Sequence, residues 1–159
     1  MNFVESFKKE IHSVSETNFN EMALDLFGYQ YESNEIYRKY CQSLKCIPKE
    51  VSSVAQIPFL PIEFFKLFDV KSGNWKSQRL FRSSGTTGTR SKHHLKDESL
   101  YQDLSLRGFE LCFGDISQFQ ILAVLPSYEE QGNSSLVFMV NHFVGKAMTG
   151  SGFFRINDE

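Results

Sequence analysis

Cysteine is scarce in this sequence, and the few cysteines present exclude several kinds of site. Cys41, Cys46 and Cys112 form no Cys-x-x-Cys pair and have no spacing typical of metal ligands. None of the three has an obvious base beside it that would activate the thiol as a nucleophile. We therefore expect buried or free thiols in a reducing cytoplasm.

An excess of charge of one sign is also absent, as are long apolar runs. The 17 basic and 19 acidic residues give a net charge of −2, which leaves no basic footprint for nucleic-acid binding. No apolar run approaches the ~20 residues that a membrane-spanning helix needs. The residues after Met1 are amphipathic and of mixed charge, unlike a signal peptide. These absences predict a cytoplasmic chain without nucleic-acid partners or a membrane span. Its 159 residues suffice for one domain or for part of a larger one.

What the sequence does contain is a short loop motif at residues 82–94 that is rich in glycine and hydroxyl side chains. Gly85 and Gly88 allow backbone dihedrals that point successive N–H groups into one concavity, which can bind an anion. Arg90 and Lys92 follow and can add charge-assisted hydrogen bonds. The hydroxyl donors are those of Ser83, Ser84, Thr86, Thr87 and Thr89. Together they predict a loop that binds a polyphosphate, although the same residue types also occur in ordinary turns.

The segments beside this loop are predicted to be ordered. Residues 79–82 alternate polar and apolar as a strand does, and residues 91–96 are compatible with a returning strand. Asp97 is a candidate N-cap for a helix over roughly 98–112. The glycine spacing, and the absence of a lysine directly after Gly88, exclude a Walker A motif, and Gly-x-Gly-x-x-Gly is absent. His93 and His94 are neighbours, so in a strand at most one of them faces a ligand of the loop.

The rest of the chain is expected to divide into a helical segment at 1–47, a Pro- and Phe-rich connection at 48–78 and an α/β part at 79–159. Predicted helices cover 3–14, Asn18 (with Glu21 as a capping box) to Phe27, and 34–45, with Gly28 ending the second. Many of the 16 phenylalanines are interpreted as core, with a pocket for a fatty chain as the alternative.

A βα step is predicted near the end of the chain. Residues 120–126 form an apolar run typical of a buried strand, and Asn133 or Ser134 can cap a helix to about Gly145. If the strand lies in an open α/β sheet, residues 126–134 lie near the ligand; otherwise they form a surface connection. Residues 153–156 resemble a strand cut short, and we expect such an edge to allow self-association.

The loop motif resembles a known one. Ser-Ser-Gly-Thr-Thr-Gly at 83–88 resembles the signature loop of the adenylate-forming enzymes, which include acyl-CoA synthetases and firefly luciferase. Residues 81–94 are more specific and are similar to the LuxE-type acyl-protein synthetases and, more distantly, to the phenylacetate-CoA ligases. The other matching segments are Ile57-Pro-Phe-Leu-Pro-Ile62, Leu125-Pro-Ser-Tyr128 and Gly132-Asn-Ser-Ser-Leu136. The resemblance runs from about residue 15 to the C-terminus.

This resemblance implies an α/β fold in which a helical segment precedes the first strands and helices of an adenylate-forming large domain. Family members are about twice as long, so the chain is expected to be an incomplete, N-terminal part. The implied activity is ATP- and Mg²⁺-dependent conversion of a fatty carboxylate to acyl-AMP, with transfer to a cysteine of the synthetase and then to a reductase partner. The motif residues expected to hold the β- and γ-phosphates are Ser84, Gly85, Thr86, Thr87, Gly88 and Thr89.

The sequence departs from the family pattern in one place. Where the wider superfamily has Pro-Lys, this chain has Thr89-Arg90-Ser91-Lys92, so either Arg90 or Lys92 can supply the cation. The later adenine, ribose and lid elements are not found in the sequence. Two alternatives therefore stay open: an acyl-CoA ligase with coenzyme A as acceptor, and a non-catalytic module that binds a nucleotide or a partner.

Overall fold

The computed structural model describes residues 3–83, 89–124 and 132–154. The chain divides into two compact units, Met1–Trp75 and Lys76–Glu159, which we call the N-terminal and C-terminal units. Helices dominate the first unit, and the second combines helices with two small sheets. The fold is therefore a mixture of α and β elements. Among the described residues, no helix is both long enough and apolar enough to cross a membrane.

The N-terminal unit is built from helices and short 3₁₀ turns. Its α-helices are α1 (Phe3–Glu10), α2 (Phe19–Ser33), α3 (Glu35–Ser43) and the one-turn α4 (Phe64–Leu67). The 3₁₀ turns are Ile11–Ser13, Pro48–Glu50 and Val54–Gln56. The predicted helices therefore exist, and the Pro-rich stretch after α3 is mostly extended or 3₁₀.

The core of this unit lies between α2 and α3. Phe27, Tyr37 and Cys41 are buried there, and the rings of Phe27 and Tyr37 meet edge to face. Asn34 joins the two helices, since its Oδ1 accepts a hydrogen bond from the Tyr37 N–H and so caps α3. The Tyr37 hydroxyl donates to the carbonyl of Pro58, which fixes the Pro-rich stretch against α3.

The predicted start of α2 after Asn18 is confirmed, but its predicted end and the capping box at Asn18 are wrong. The helix continues through Gly28 to Ser33. Asn18 makes no capping hydrogen bond to α2, because its Oδ1 accepts from the N–H of Ser15 and its Nδ2 donates to the carbonyl of Ser13. Its side chain therefore stabilises the turn before the helix.

The C-terminal unit contains two two-stranded sheets. β1 (Arg79–Arg82) and β2 (Lys92–Leu95) form an antiparallel hairpin, as the alternation predicts. β3 (Leu122–Ala123) and β4 (Gly152–Phe153) pair in parallel and are joined through α6 (Ser135–Val144). α5 (Glu98–Phe113) follows β2. Asp97 caps α5 and Ser134 caps α6, each by accepting a hydrogen bond from a backbone N–H. The predicted N-cap Asp97 is therefore confirmed, and of the two N-cap candidates for α6 it is Ser134 that caps the helix.

The strand predicted at 120–126 is much shorter and less buried than expected. Of the described residues 120–124, only Leu122 and Ala123 are in a strand, and Leu122 and Val124 are each more than half exposed while Ala123 is buried. The prediction of a strand covered on both faces is therefore wrong for the described part of the run. The predicted strand at 153–156 begins at Gly152, and its residues beyond Phe154 lie outside the described ranges, as do Leu125 and Pro126.

Candidate anion-binding site on the β1–β2 hairpin

The loop motif connects the two strands of the β1–β2 hairpin. The bonds that close the base of the loop join Ser83 and Ser91: the Ser83 N–H donates to the Ser91 carbonyl over 3.2 Å, and the Ser91 N–H donates to the Ser83 Oγ over 3.0 Å. The predicted strand–loop–strand arrangement is therefore confirmed, and Ser83 already serves as a structural acceptor at the base.

The structure describes only some of the predicted site residues. Ser83 follows β1 directly, Thr89 and Arg90 are exposed on the returning arm, and Lys92 is the first, partly buried residue of β2. The tip of the loop lies outside the described residues. It comprises Ser84, Gly85, Thr86, Thr87 and Gly88.

Strand register adds a cation that sequence reasoning missed. Arg82 lies directly opposite Lys92, and opposite residues of an antiparallel pair project from the same face. Like charges directly opposite each other are destabilising, and such a pair of cations suits an anionic ligand. Among the described residues, no carboxylate forms an ion pair with the exposed Arg82. The sequence feature that could have revealed Arg82 is the alternation of residues in β1, which places Arg82 on the face opposite to Phe81.

The other face of the hairpin packs against helices. Phe81 is buried, with its ring 5.4 Å from that of Tyr101 on α5 and 5.5 Å from that of Phe138 on α6. The guanidinium of Arg79 lies 4.4 Å from the centre of the Phe138 ring. It also contacts Glu98 through two nitrogen–oxygen pairs, at 3.0 and 3.1 Å. This packing holds the hairpin so that its cationic face is directed away from the helices.

The segment before α6 reaches the base of the loop. The Arg82 N–H donates to the Asn133 carbonyl over 2.9 Å, immediately before the N-cap Ser134. The first turn of α6 therefore begins beside the end of β1, where its partial positive charge favours an anion. Asn133 therefore contacts the base of the loop, while residues 125–131 lie outside the described ranges.

The two histidines of β2 lie on opposite faces. His94 shares the face of Lys92 and exchanges a hydrogen bond of 2.8 Å between its Nδ1 and the Oγ of Ser77. His93 lies opposite Phe81, and the two rings stack nearly parallel with centroids 6.5 Å apart. Of the two, His94 is the one on the cationic face. Within the described ranges, no group of three or more His, Cys, Asp or Glu residues could hold a metal ion.

Acidification is expected to destabilise the C-terminal unit through His93. Although the His93 side chain is exposed, desolvation of its ring lowers its pKa below the ordinary value of 6.5, and the neighbouring His94 adds to this effect. Because the folded state binds the proton less readily than the unfolded chain, stability is complete above pH 6.5 and decreases as the pH falls towards the lowered value. His93→Gln should abolish this dependence, measured as the melting temperature by circular dichroism.

The exposed His12, in the N-terminal unit, provides the matched control as His12→Gln. Asp115 and Glu35 do not interfere, because their pKa values are lowered from 3.8 and 4.5 and they titrate at more acidic pH. An unchanged decline of the melting temperature in His93→Gln would show that another group is responsible.

Comparison with known proteins gives one match. The family model described as acyl-protein synthetase, LuxE, matches residues 9–111, which is more than half of the chain. The matched region runs from the end of α1 through the hairpin and most of α5. No curated protein and no solved structure matches the chain.

Proposed function

Because the chain belongs to the LuxE family of acyl-protein synthetases, we propose that it takes part in ATP-dependent activation of a fatty carboxylate. A carboxylate oxygen attacks the α-phosphorus of ATP, and the bond to the leaving pyrophosphate breaks, which gives acyl-AMP. A thiolate then attacks the acyl carbonyl, and AMP leaves as the thioester forms. The thiol is that of a protein cysteine, and we propose a reductase as the protein that finally receives the acyl group.

The observation that supports this proposal is the pair of opposed cations at the base of the motif loop. Arg82 and Lys92 share one face of the hairpin, and the backbone of Arg82 is bonded to the segment that leads into α6. Two neighbouring cations on a fixed backbone suit a polyphosphate. Attack by an anion on ATP brings negative charges together, and fixed donors and cations offset that repulsion. We also propose that this chain has the fold of the adenylate-forming enzymes.

We assign the contacts with the β- and γ-phosphates to the motif residues and the neighbouring cations. Mg²⁺, which such nucleotides carry, would supply further positive charge to offset that of the phosphates. Arg82 is added here to the residues predicted from sequence, which are Ser83, Ser84, Gly85, Thr86, Thr87, Gly88, Thr89, Arg90 and Lys92.

The test is carboxylate-dependent exchange of labelled pyrophosphate into ATP. Exchange should appear with fatty carboxylates. Arg82→Gln should lower the exchange rate about 10-fold by raising the KM for ATP. This factor corresponds to the lower end of the energy that a hydrogen bond to a charged group contributes. Without ATP, Arg82→Gln should leave the melting temperature unchanged or raise it, since it removes repulsion from Lys92. The rise in melting temperature on adding ATP should shrink.

Arg107→Gln, on α5, is the matched control and should behave as the wild type. Binding of ATP without exchange for any carboxylate would favour a non-catalytic nucleotide-binding module. An unaltered KM in Arg82→Gln would remove Arg82 from the site.

A further inference from the structure

The N-terminal unit contains a cavity that the proposed phosphate contacts do not use. Its volume is about 480 Å³, within the ~300–1,000 Å³ of sites that bind small molecules. Side chains from α1, α2 and α3 line it together with the stretch between Val54 and Val70. Several elements of one compact unit thus enclose it, all within the described range 3–83.

The lining of this cavity is almost wholly apolar. None of its lining residues, all of which the structure describes, carries a charge. Its polar members are Gln30, Asn34 and Tyr37, and the last two already form the hydrogen bonds that cap α3 and bind the Pro58 carbonyl. A carboxylate buried here would lack a counter-charge, which is costly. The cavity therefore suits the apolar part of a ligand whose charged group remains outside.

Large apolar side chains of the lining are also exposed to solvent. Phe59 is 72% exposed, Phe19 53% and Val14 39%. Single exposed apolar residues are ordinary, but these three contribute to one cavity. A peptide occupant would bring backbone N–H and C=O groups that need partners, and this lining offers few. A hydrocarbon chain needs none.

We propose that this cavity binds the hydrocarbon chain of a fatty carboxylate and leaves the carboxylate at its mouth. This inference rests on the proposed function, from which it takes the class of ligand. The binding itself depends on the N-terminal unit alone and requires no ATP. It can therefore be measured separately from the exchange reaction.

The first experiment titrates the full chain, without ATP, with straight-chain carboxylates of increasing length in a calorimeter. Affinity should rise about 4-fold for each methylene buried, until the cavity is full. An n-alkanol with the same chain should bind within about 10-fold of the carboxylate, because the lining has no charge to recognise.

Four substitutions test whether the ligand binds in this cavity. Ala23→Trp puts a large ring into the lining and should weaken binding at least 10-fold. Ala55→Trp makes the same change at an exposed position that does not line the cavity, and it should bind as the wild type. Phe59→Ala, at a largely exposed position where truncation leaves folding intact, should weaken binding several-fold. Phe113→Ala, which is similarly exposed in the other unit, should have no effect.

Saturable binding that follows chain length and is weakened in both cavity variants but not in their controls would establish the site. No saturable binding at any chain length, or equal affinity in the wild type, Ala23→Trp and Phe59→Ala, would overturn it. The two proposals fail separately. Binding without exchange contradicts the proposed function alone, and exchange with unaltered carboxylate KM in both variants contradicts the cavity alone.

Discussion

Carboxylate-dependent exchange of pyrophosphate into ATP is expected to slow about 100-fold when Thr86 is replaced by alanine. The hydroxyl of Thr86 is one of the motif donors assigned to the phosphates. Removing one well-placed donor from a site that stabilises developing charge costs about 3 kcal/mol of barrier. That energy corresponds to roughly two powers of ten in rate. Thr87→Ala should have an effect of the same order.

A loss of this size requires donors that are already fixed when the substrate binds, because donors that must first be ordered stabilise the transition state less. The base of the loop provides such fixation. Ser83 and Ser91 hold the two arms together by two hydrogen bonds, and the backbone of Arg82 is bonded to Asn133. The described base of the hairpin is thus closed by these bonds.

The control for these variants is Thr149→Ala, at an exposed threonine outside the hairpin, which should exchange at the wild-type rate. Circular dichroism should show that the fold of all three variants is intact. Wild-type exchange in both Thr86→Ala and Thr87→Ala would contradict the role assigned to the motif.

Features that depend on a few neighbouring residues were predictable from the sequence. The alternation in Arg79–Arg82 marks β1, because side chains of a strand point to alternate faces. Asp97 marks the start of α5, because its carboxylate satisfies an N–H of the first turn. Both signals are local, and the structure confirms both.

The C-terminal end of α2 was not predictable, because tertiary packing overrides local preference there. A glycine inside a helix costs about 1 kcal/mol, and Gly28 is tolerated since Phe27 and Tyr31 on either side of it pack in the core. The Asn18 side chain has two possible roles, to cap the helix or to stabilise the preceding turn, and nothing in the sequence decides between them.

The register of a sheet is another property that a single segment does not reveal. Arg82 became a candidate only when its pairing with Lys92 was known. Residues 120–126 are apolar, yet Leu122 and Val124 are exposed, because hydrophobicity indicates a preference for burial and does not supply the element that would cover a face. The cavity of the N-terminal unit likewise forms from residues far apart in sequence.

Truncating Phe81 is expected to cost the C-terminal unit about 3–5 kcal/mol of unfolding free energy, the usual range for a buried phenylalanine replaced by alanine. Phe81 is only 3% exposed and touches the rings of Tyr101 and Phe138, which belong to different helices. Its loss leaves a cavity where the hairpin meets α5 and α6. The melting temperature and urea midpoint, followed by circular dichroism, should both fall.

Phe113→Ala is the matched control, since Phe113 is 65% exposed and its truncation removes little buried surface. Phe81→Leu should lose less stability than Phe81→Ala, because leucine fills part of the same space. If the hairpin owes its position to Phe81, then Phe81→Ala should also weaken the ATP-induced rise in melting temperature, although the side chain lies on the face opposite to Arg82. Equal stability losses in Phe81→Ala and Phe113→Ala would show that other contacts hold the hairpin against the helices.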